Sequence, residues 1–389
     1  MAPLSLLLCF LLGIAYLSIH HEVPLLVCVR ALVGLCLLNL LPGYVMQRFV
    51  FRVRAETPHE TVLSSLLLGV IVVPVIWYVF VWLGASRTVV TVCIVAAAMI
   101  PLVNQWLRDR STRTRALRHD GTEAGDKDGE LAASDVVSRL RSAAALGMRP
   151  GDTAIFWLAL LLMVIWSYET TLVEVRDGRA YTVLFHDLLM PAALVGEFSR
   201  GIPLGAVPFV AGVERLSYHY MSMVWCDMAR FVAGTDAMTA YFHIALPLRY
   251  VFMAFGGYLV LVRRFGRTGA LAGAACMLGL VHPVQALFPG GALILLHYGY
   301  TASFGLIGTL LSVFYVSIAS KENRRGALLL ASIVSVFLLC YKANFALVVA
   351  PAVAIYAMVV LVKNRDYRWL ALCFGFATRR YRRLTCGTH

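Results

Sequence analysis

Charge is scarce in this chain. Only 14% of its 389 residues are charged, and 60% are hydrophobic. Soluble domains carry about a quarter charged residues, so water is not the solvent for most of this surface. Carboxylates are scarcer than bases, 21 against 34, which leaves a net charge of +13. No CxxC pair occurs among the nine cysteines, nearly all of which lie in apolar runs, so neither a disulfide framework nor a zinc site is indicated. Leu4 to Ile19 is expected to be a retained first span rather than a signal peptide, because Met1-Ala2-Pro3 supplies no basic residue before it. The last four residues, Cys386-Gly387-Thr388-His389, lack the aliphatic pair of a prenylation signal.

What is present is a series of apolar stretches, each near the length of roughly 20 residues that spans a hydrocarbon core. They run Leu4–Ile19, Val23–Val45, Val62–Leu83, Val89–Val103, Ala154–Ser167, Met238–Val262, Ala270–Phe288, Ala292–Ala319, Gly326–Cys340 and Ala343–Val362. An incomplete one begins at Trp369. The expected fold is all-α, a polytopic bundle of roughly ten to eleven transmembrane helices. The segment after Trp369 meets Arg379, Arg380, Arg382 and Arg383 too soon to span, and reads as a chain shortened or frame-shifted at its C-terminus.

Arginine and lysine gather in the connections: Arg48, Arg52 and Arg54; Gln105 to Pro150; Arg263, Arg264 and Arg267; Lys321, Arg324 and Arg325; Lys363, Arg365 and Arg368. This is the positive-inside pattern, and it accounts for the basic balance better than a nucleic-acid surface does. It also decides Tyr218 to Phe231. A crossing there would place every later basic cluster outside, so the segment is expected to be a half-buried helix at the interface. Residues 168–237 then form one outward loop, with a second short amphipathic helix between Val183 and Arg200 that sets His186, Met190 and Glu197 on one face. Two interfacial helices should frame a cavity.

Gln105 to Pro150 mixes eight arginines and one lysine with seven carboxylates and cannot bury a core, so it is expected to be a partly disordered cytoplasmic linker. The chain thus divides into an N-terminal four-helix part (1–104), a linker (105–151) and a C-terminal part (152–389). No internal repeat is evident. Arg249 falls mid-span, where an isolated charge costs about 2.5–3.5 kcal/mol, and is expected to face the interior with Asp227 or Asp236 as partner.

The outward loop concentrates the chemistry. Asp187 follows a span and heads a juxtamembrane helix; Gly201-Ile202-Pro203, then Pro208 with Ala211-Gly212, then Tyr218-His219-Tyr220 come after it. This order resembles the first large loop of the GT-C superfamily, integral-membrane glycosyltransferases that use polyprenyl-phosphate-linked sugars. The resemblance covers about Asp152 to Val362, and the four N-terminal spans are additional. It implies a multi-pass protein of a bacterial plasma membrane, with the bilayer and a polyprenyl-phosphate sugar as partners. It also places Asp187 where the superfamily keeps a loop carboxylate, as base on the acceptor hydroxyl or as holder of a divalent cation such as Mg or Mn. Many members have two adjacent acids there; this chain has His186-Asp187, which leaves the metal open.

Glycosyl transfer needs a base for the hydroxyl proton and cations for the departing phosphate. Arg200, Arg215 and Lys342 are phosphate candidates, and Glu197, His219, Arg249 and His297 are further substrate-binding candidates on this topology. Each has a plainer reading. Asp187 suits a helix cap, the Tyr-His-Tyr run suits an aromatic belt, and His297 and Lys342 suit snorkelling side chains at helix ends. A transporter or flippase for a polar or lipid-linked substrate is the competing function, with a non-catalytic assembly subunit as a third.

Overall fold

The computed structural model describes residues 18–19, 23–53, 55–119, 174–176, 179–181, 186–200, 220–281, 300–322 and 325–363. They form an all-α bundle with one short hairpin. Five helices are long and apolar enough to cross a membrane, and Arg325–Tyr341 and Ala343–Val359 are shorter apolar helices beside them. The expected spans Leu4–Ile19 (but for its last two residues), Ala154–Ser167 and the one from Trp369 lie outside the described residues.

Helix α1 runs Leu25–Val50, with π-helical turns at Cys36–Leu40 and Met46–Val50. Helix α2 spans Pro58–Trp82. It starts four residues before the apolar run because Thr57 caps it, accepting from the Glu60 N–H at 3.2 Å, with Pro58 at the first helical position. The two helices meet backbone to backbone. Gly43 sits against the Ser65 carbonyl and Gly69 against the Asn39 carbonyl, so a Cβ at either glycine would strike main-chain atoms. Gly43 on α1 and Ser65 with Gly69, four apart on α2, permit that approach, which is how helices associate where no hydrophobic effect drives them together.

Helix α3 extends from Arg87 to His119. Its first 22 residues, Arg87–Arg108, form the span. Of the expected partly disordered linker from Gln105, the described residues 105–119 continue the helix. Arg, Ala and Leu are good helix formers, and a helix already nucleated in the membrane propagates through them.

Strands β1 (Glu174–Arg176) and β2 (Arg179–Tyr181) pair antiparallel, Arg176 opposite Arg179. Helix α4 is His186–Arg200 and α5 is Met221–Ala233, which Gly234 ends in the left-handed conformation. Helix α6 spans Ala237–Gly266; the chain breaks at Gly266 (φ 68°, ψ −172°) and continues as α7, residues 267–281. Helices α8 (Tyr300–Glu322), α9 (Arg325–Tyr341) and α10 (Ala343–Lys363) pack side by side. Tyr341 anchors α9 to α2 by donating to the carbonyls of Val70 and Ile71 at 2.9 and 3.0 Å.

Three basic connections come together at one end of this bundle. Arg263 closes α6 against the start of α2, with 3.0 Å to Glu60 and 3.6 Å to Glu56. Gly326, at the start of α9, lies against the Phe51 carbonyl beyond α1. Just inside this end, Gln47 accepts from Ser64 at 2.8 Å, Tyr315 at 3.1 Å and Ser65 at 3.4 Å, a buried polar knot joining α1, α2 and α8.

Candidate functional site

The opposite end holds α4 and α5, and Arg87 joins them. At the start of α3 its guanidinium donates to the carbonyls of Ser199 (3.1 Å) and Phe198 in the last turn of α4, lies 3.4 Å from Asp227 of α5, and sits over the Trp77 ring at 5.7 Å. A helix C-terminus leaves its final carbonyls without intrahelical donors, and a cation there meets both the lone pairs and the negative end of the dipole. Asp227 also receives the Arg230 Nε at 2.8 Å. Burial pushes the Asp227 carboxyl above its ordinary value of 3.8, against the downward pull of both arginines.

Tyr220 completes the joint, its hydroxyl 3.1 Å from that of Tyr78 and its ring 5.6 Å from Phe198. Trp225 reaches inward and donates to Asn39 at 3.2 Å, with Phe252 and Phe304 around its ring.

Two expectations change here. The segment expected as a half-buried interfacial helix is largely buried: nine of the 13 residues of α5 are enclosed, Asp227 fully. Its polar residues need no water because Arg87 and Arg230 supply the counter-charge. At 13 residues it is about 20 Å long, short of a ~30 Å hydrocarbon core. Nor do the described faces of α4 and α5 frame a cavity between them. They pack directly, with Leu194, Val195 and Phe198 fully buried.

Arg249 is fully buried in α6, as a mid-span charge should be. Its Nη2 donates to the Tyr250 hydroxyl at 2.9 Å, and its guanidinium stands 4.7 Å from that ring. The expected carboxylate partners are engaged elsewhere. Asp236 caps the start of α6, accepting from the Thr239 N–H (2.9 Å) and hydroxyl (2.6 Å). Burial raises its carboxyl, but these bonds together bring it below its ordinary value. Thirteen residues of helix place Asp236 about 20 Å from Arg249, beyond pairing distance. Asp227 is taken by Arg230 and Arg87.

His186 and Asp187 are the first two residues of α4, and Arg200 is its last; their side chains lie outside the described residues, as do Arg215, His219 and His297 altogether. Glu197 is half-buried one turn before the helix ends. Lys342 is half-buried in the turn between α9 and α10, beside Gly305 near the start of α8, at the end away from Arg325. Among the described residues no group of three His, Cys, Asp or Glu could hold a metal ion.

The sequence reading passed over Arg87 and Tyr78, took Asp227 and Arg230 as the polar face of an interfacial helix, and otherwise offered Asp227 only as a partner for Arg249. It also missed Asn39, Gln47 and the Ser64-Ser65 pair, although polar residues inside apolar spans are themselves a signal. Comparison with protein-family models, curated proteins and solved structures finds no match.

Proposed function

We propose that this chain is a membrane glycosyltransferase that moves a sugar from a polyprenyl-phosphate donor to an acceptor hydroxyl, at the end of the bundle opposite its basic connections. The observation that supports this most is the docking of α4. Its first turn carries His186-Asp187 and its last turn is fixed to the bundle by Arg87, so the candidate carboxylate stands on a helix anchored by charge-assisted bonds. Asp187 takes the acceptor proton as the new C–O bond forms and the bond from the sugar to its phosphate breaks. Lys342 meets the negative charge that develops on the phosphate, whereas Arg200, thirteen residues and about 20 Å along α4 from Asp187, is too far to share that centre. A divalent cation would serve that same phosphate, and no step above is routed through one. His186, Glu197, His219 and His297 are the remaining candidates for holding the sugar or acceptor.

Asp187→Asn is expected to lower sugar transfer at least a hundredfold in membranes supplied with polyprenyl-phosphate donor, with expression unchanged. Full activity in that variant removes Asp187 from the mechanism.

A second reading, a transporter for a polar or lipid-linked substrate, is favoured by the fully buried Arg249 in the body of α6. Transporters place such groups near the midplane. Uptake into sealed vesicles without covalent transfer, abolished by Arg249→Gln and indifferent to Asp187→Asn, selects this reading over the first.

A further inference from the structure

We propose that the basic extension of α3 is a docking surface for an anionic lipid leaflet. Arg87 and Arg108 bracket the span of α3, and the 21 residues between their positions rise about 31 Å, close to one hydrocarbon thickness. Arg108 therefore stands at the membrane boundary on the basic side. Trp106, exposed and about 3 Å within, sits where interfacial aromatics sit, and the Arg110 guanidinium lies over its ring at 5.4 Å.

Beyond this point the helix continues to His119 and carries Arg108, Arg110, Arg113, Arg115 and Arg118 against a single carboxylate, Asp109. Arg110 with Arg113, and Arg115 with Arg118, are like charges three residues apart, which weakens an isolated helix. An anionic surface alongside removes that repulsion. Clusters of this kind next to a span attract acidic lipid headgroups, by about fivefold in partition for each arginine close to the surface.

Distance sets a gradient along the helix. Arg110 and Arg113 lie about 3 and 8 Å beyond Arg108, while Arg115 and Arg118 lie about 10 and 15 Å beyond it. The screening length is about 8 Å at physiological salt. The leaflet therefore acts on the first three arginines and far less on the last two, whereas a long polyanion such as RNA or an acidic polypeptide would engage all five.

The test uses the full chain in nanodiscs of phosphatidylcholine containing phosphatidylglycerol, one lipid brominated at a time. Trp106 quenching is taken as the difference between wild type and Trp106→Phe. Brominated phosphatidylglycerol is expected to quench several-fold more than brominated phosphatidylcholine, and the preference should shrink as salt rises. Arg108→Gln with Arg110→Gln should bring the ratio close to one, Arg115→Gln with Arg118→Gln should change it less than twofold, and the Arg108→Lys/Arg110→Lys variant should keep it. Equal quenching by the two lipids in the wild type overturns the proposal. So does an outer pair that matters as much as the inner one, or RNA or polyglutamate binding that depends on all five arginines.

Discussion

Arg87→Met tests how the short helices are held. The substitution withdraws one of two cations from Asp227, a fully enclosed carboxylate, and removes both donors to the Phe198 and Ser199 carbonyls. Breaking a buried ion pair costs about 3–5 kcal/mol. Arg230 stays on Asp227, and the Arg87 side chain is 18% exposed, so the low end applies: about 3 kcal/mol, or roughly two decades in the folding equilibrium. Adding Asp227→Asn removes the stranded charge and should return the loss to about 1 kcal/mol, the worth of the vacated hydrogen bonds.

The pH dependence follows from the raised carboxyl of Asp227. A carboxyl that is harder to ionise when folded binds more protons folded than unfolded, so stability falls as pH rises from 3.8 through the raised value. Arg87→Met raises that value further. Its deficit should be large at pH 8, narrow on acidification, and be flat with pH in the Arg87→Met/Asp227→Asn double variant. Unfolding in detergent measures the stabilities, and trypsin cleavage after Arg200 reports release of α4. Wild-type stability for Arg87→Met at pH 8, or no rescue by Asp227→Asn, refutes the lock.

Gly43→Leu should cost at least 1–3 kcal/mol, because the new side chain meets the Ser65 carbonyl rather than a movable side chain; loss of folded protein in detergent, milder for Gly43→Ala, checks this. The orientation of the bundle is open to labelling in a cysteine-free background. Lys342→Cys should react with an impermeant maleimide from outside and Arg325→Cys only after permeabilisation; the reverse result would place the α4–α5 end in the cytoplasm.

Hydropathy located the membrane helices because each span must be apolar over a length fixed by the bilayer. It misplaced their ends, since ends are set by other forces. Thr57 and Glu60 start α2 before its apolar run begins, and backbone hydrogen bonding carries α3 past Gln105 after its apolar run stops. The depth of α5 was illegible for a different reason. Asp227 and Arg230 look like a face for water, and only Arg87, far back in the chain, makes their burial affordable. Arg249 was correctly placed inside, but helix rise alone could have shown that Asp236 cannot reach it. The helix that carries His186 and Asp187 was readable, within a few residues of its start, because the stretch from Val183 to Arg200 keeps one apolar face.

The two ends of the bundle differ in a way that bears on where chemistry could occur. At the basic end Glu60 and Arg263 are nearly enclosed, Phe314 lies 5.2 Å from the guanidinium, and the Gln47 knot fills the space within. Long helices meet there and leave little that could move without stranding a buried charge. At the other end, α4 and α5 are too short to span and depend on Arg87, Asp227 and Tyr220 for their positions. Opening of these short helices would also expose the buried apolar side chains Leu194, Val195, Phe198 and Trp225, so it depends on more than the polar bonds alone. On the proposed glycosyltransferase reading, a membrane-embedded donor and a water-borne acceptor would both have to reach Asp187 on α4, at the end closed by short helices rather than at the end closed by long ones.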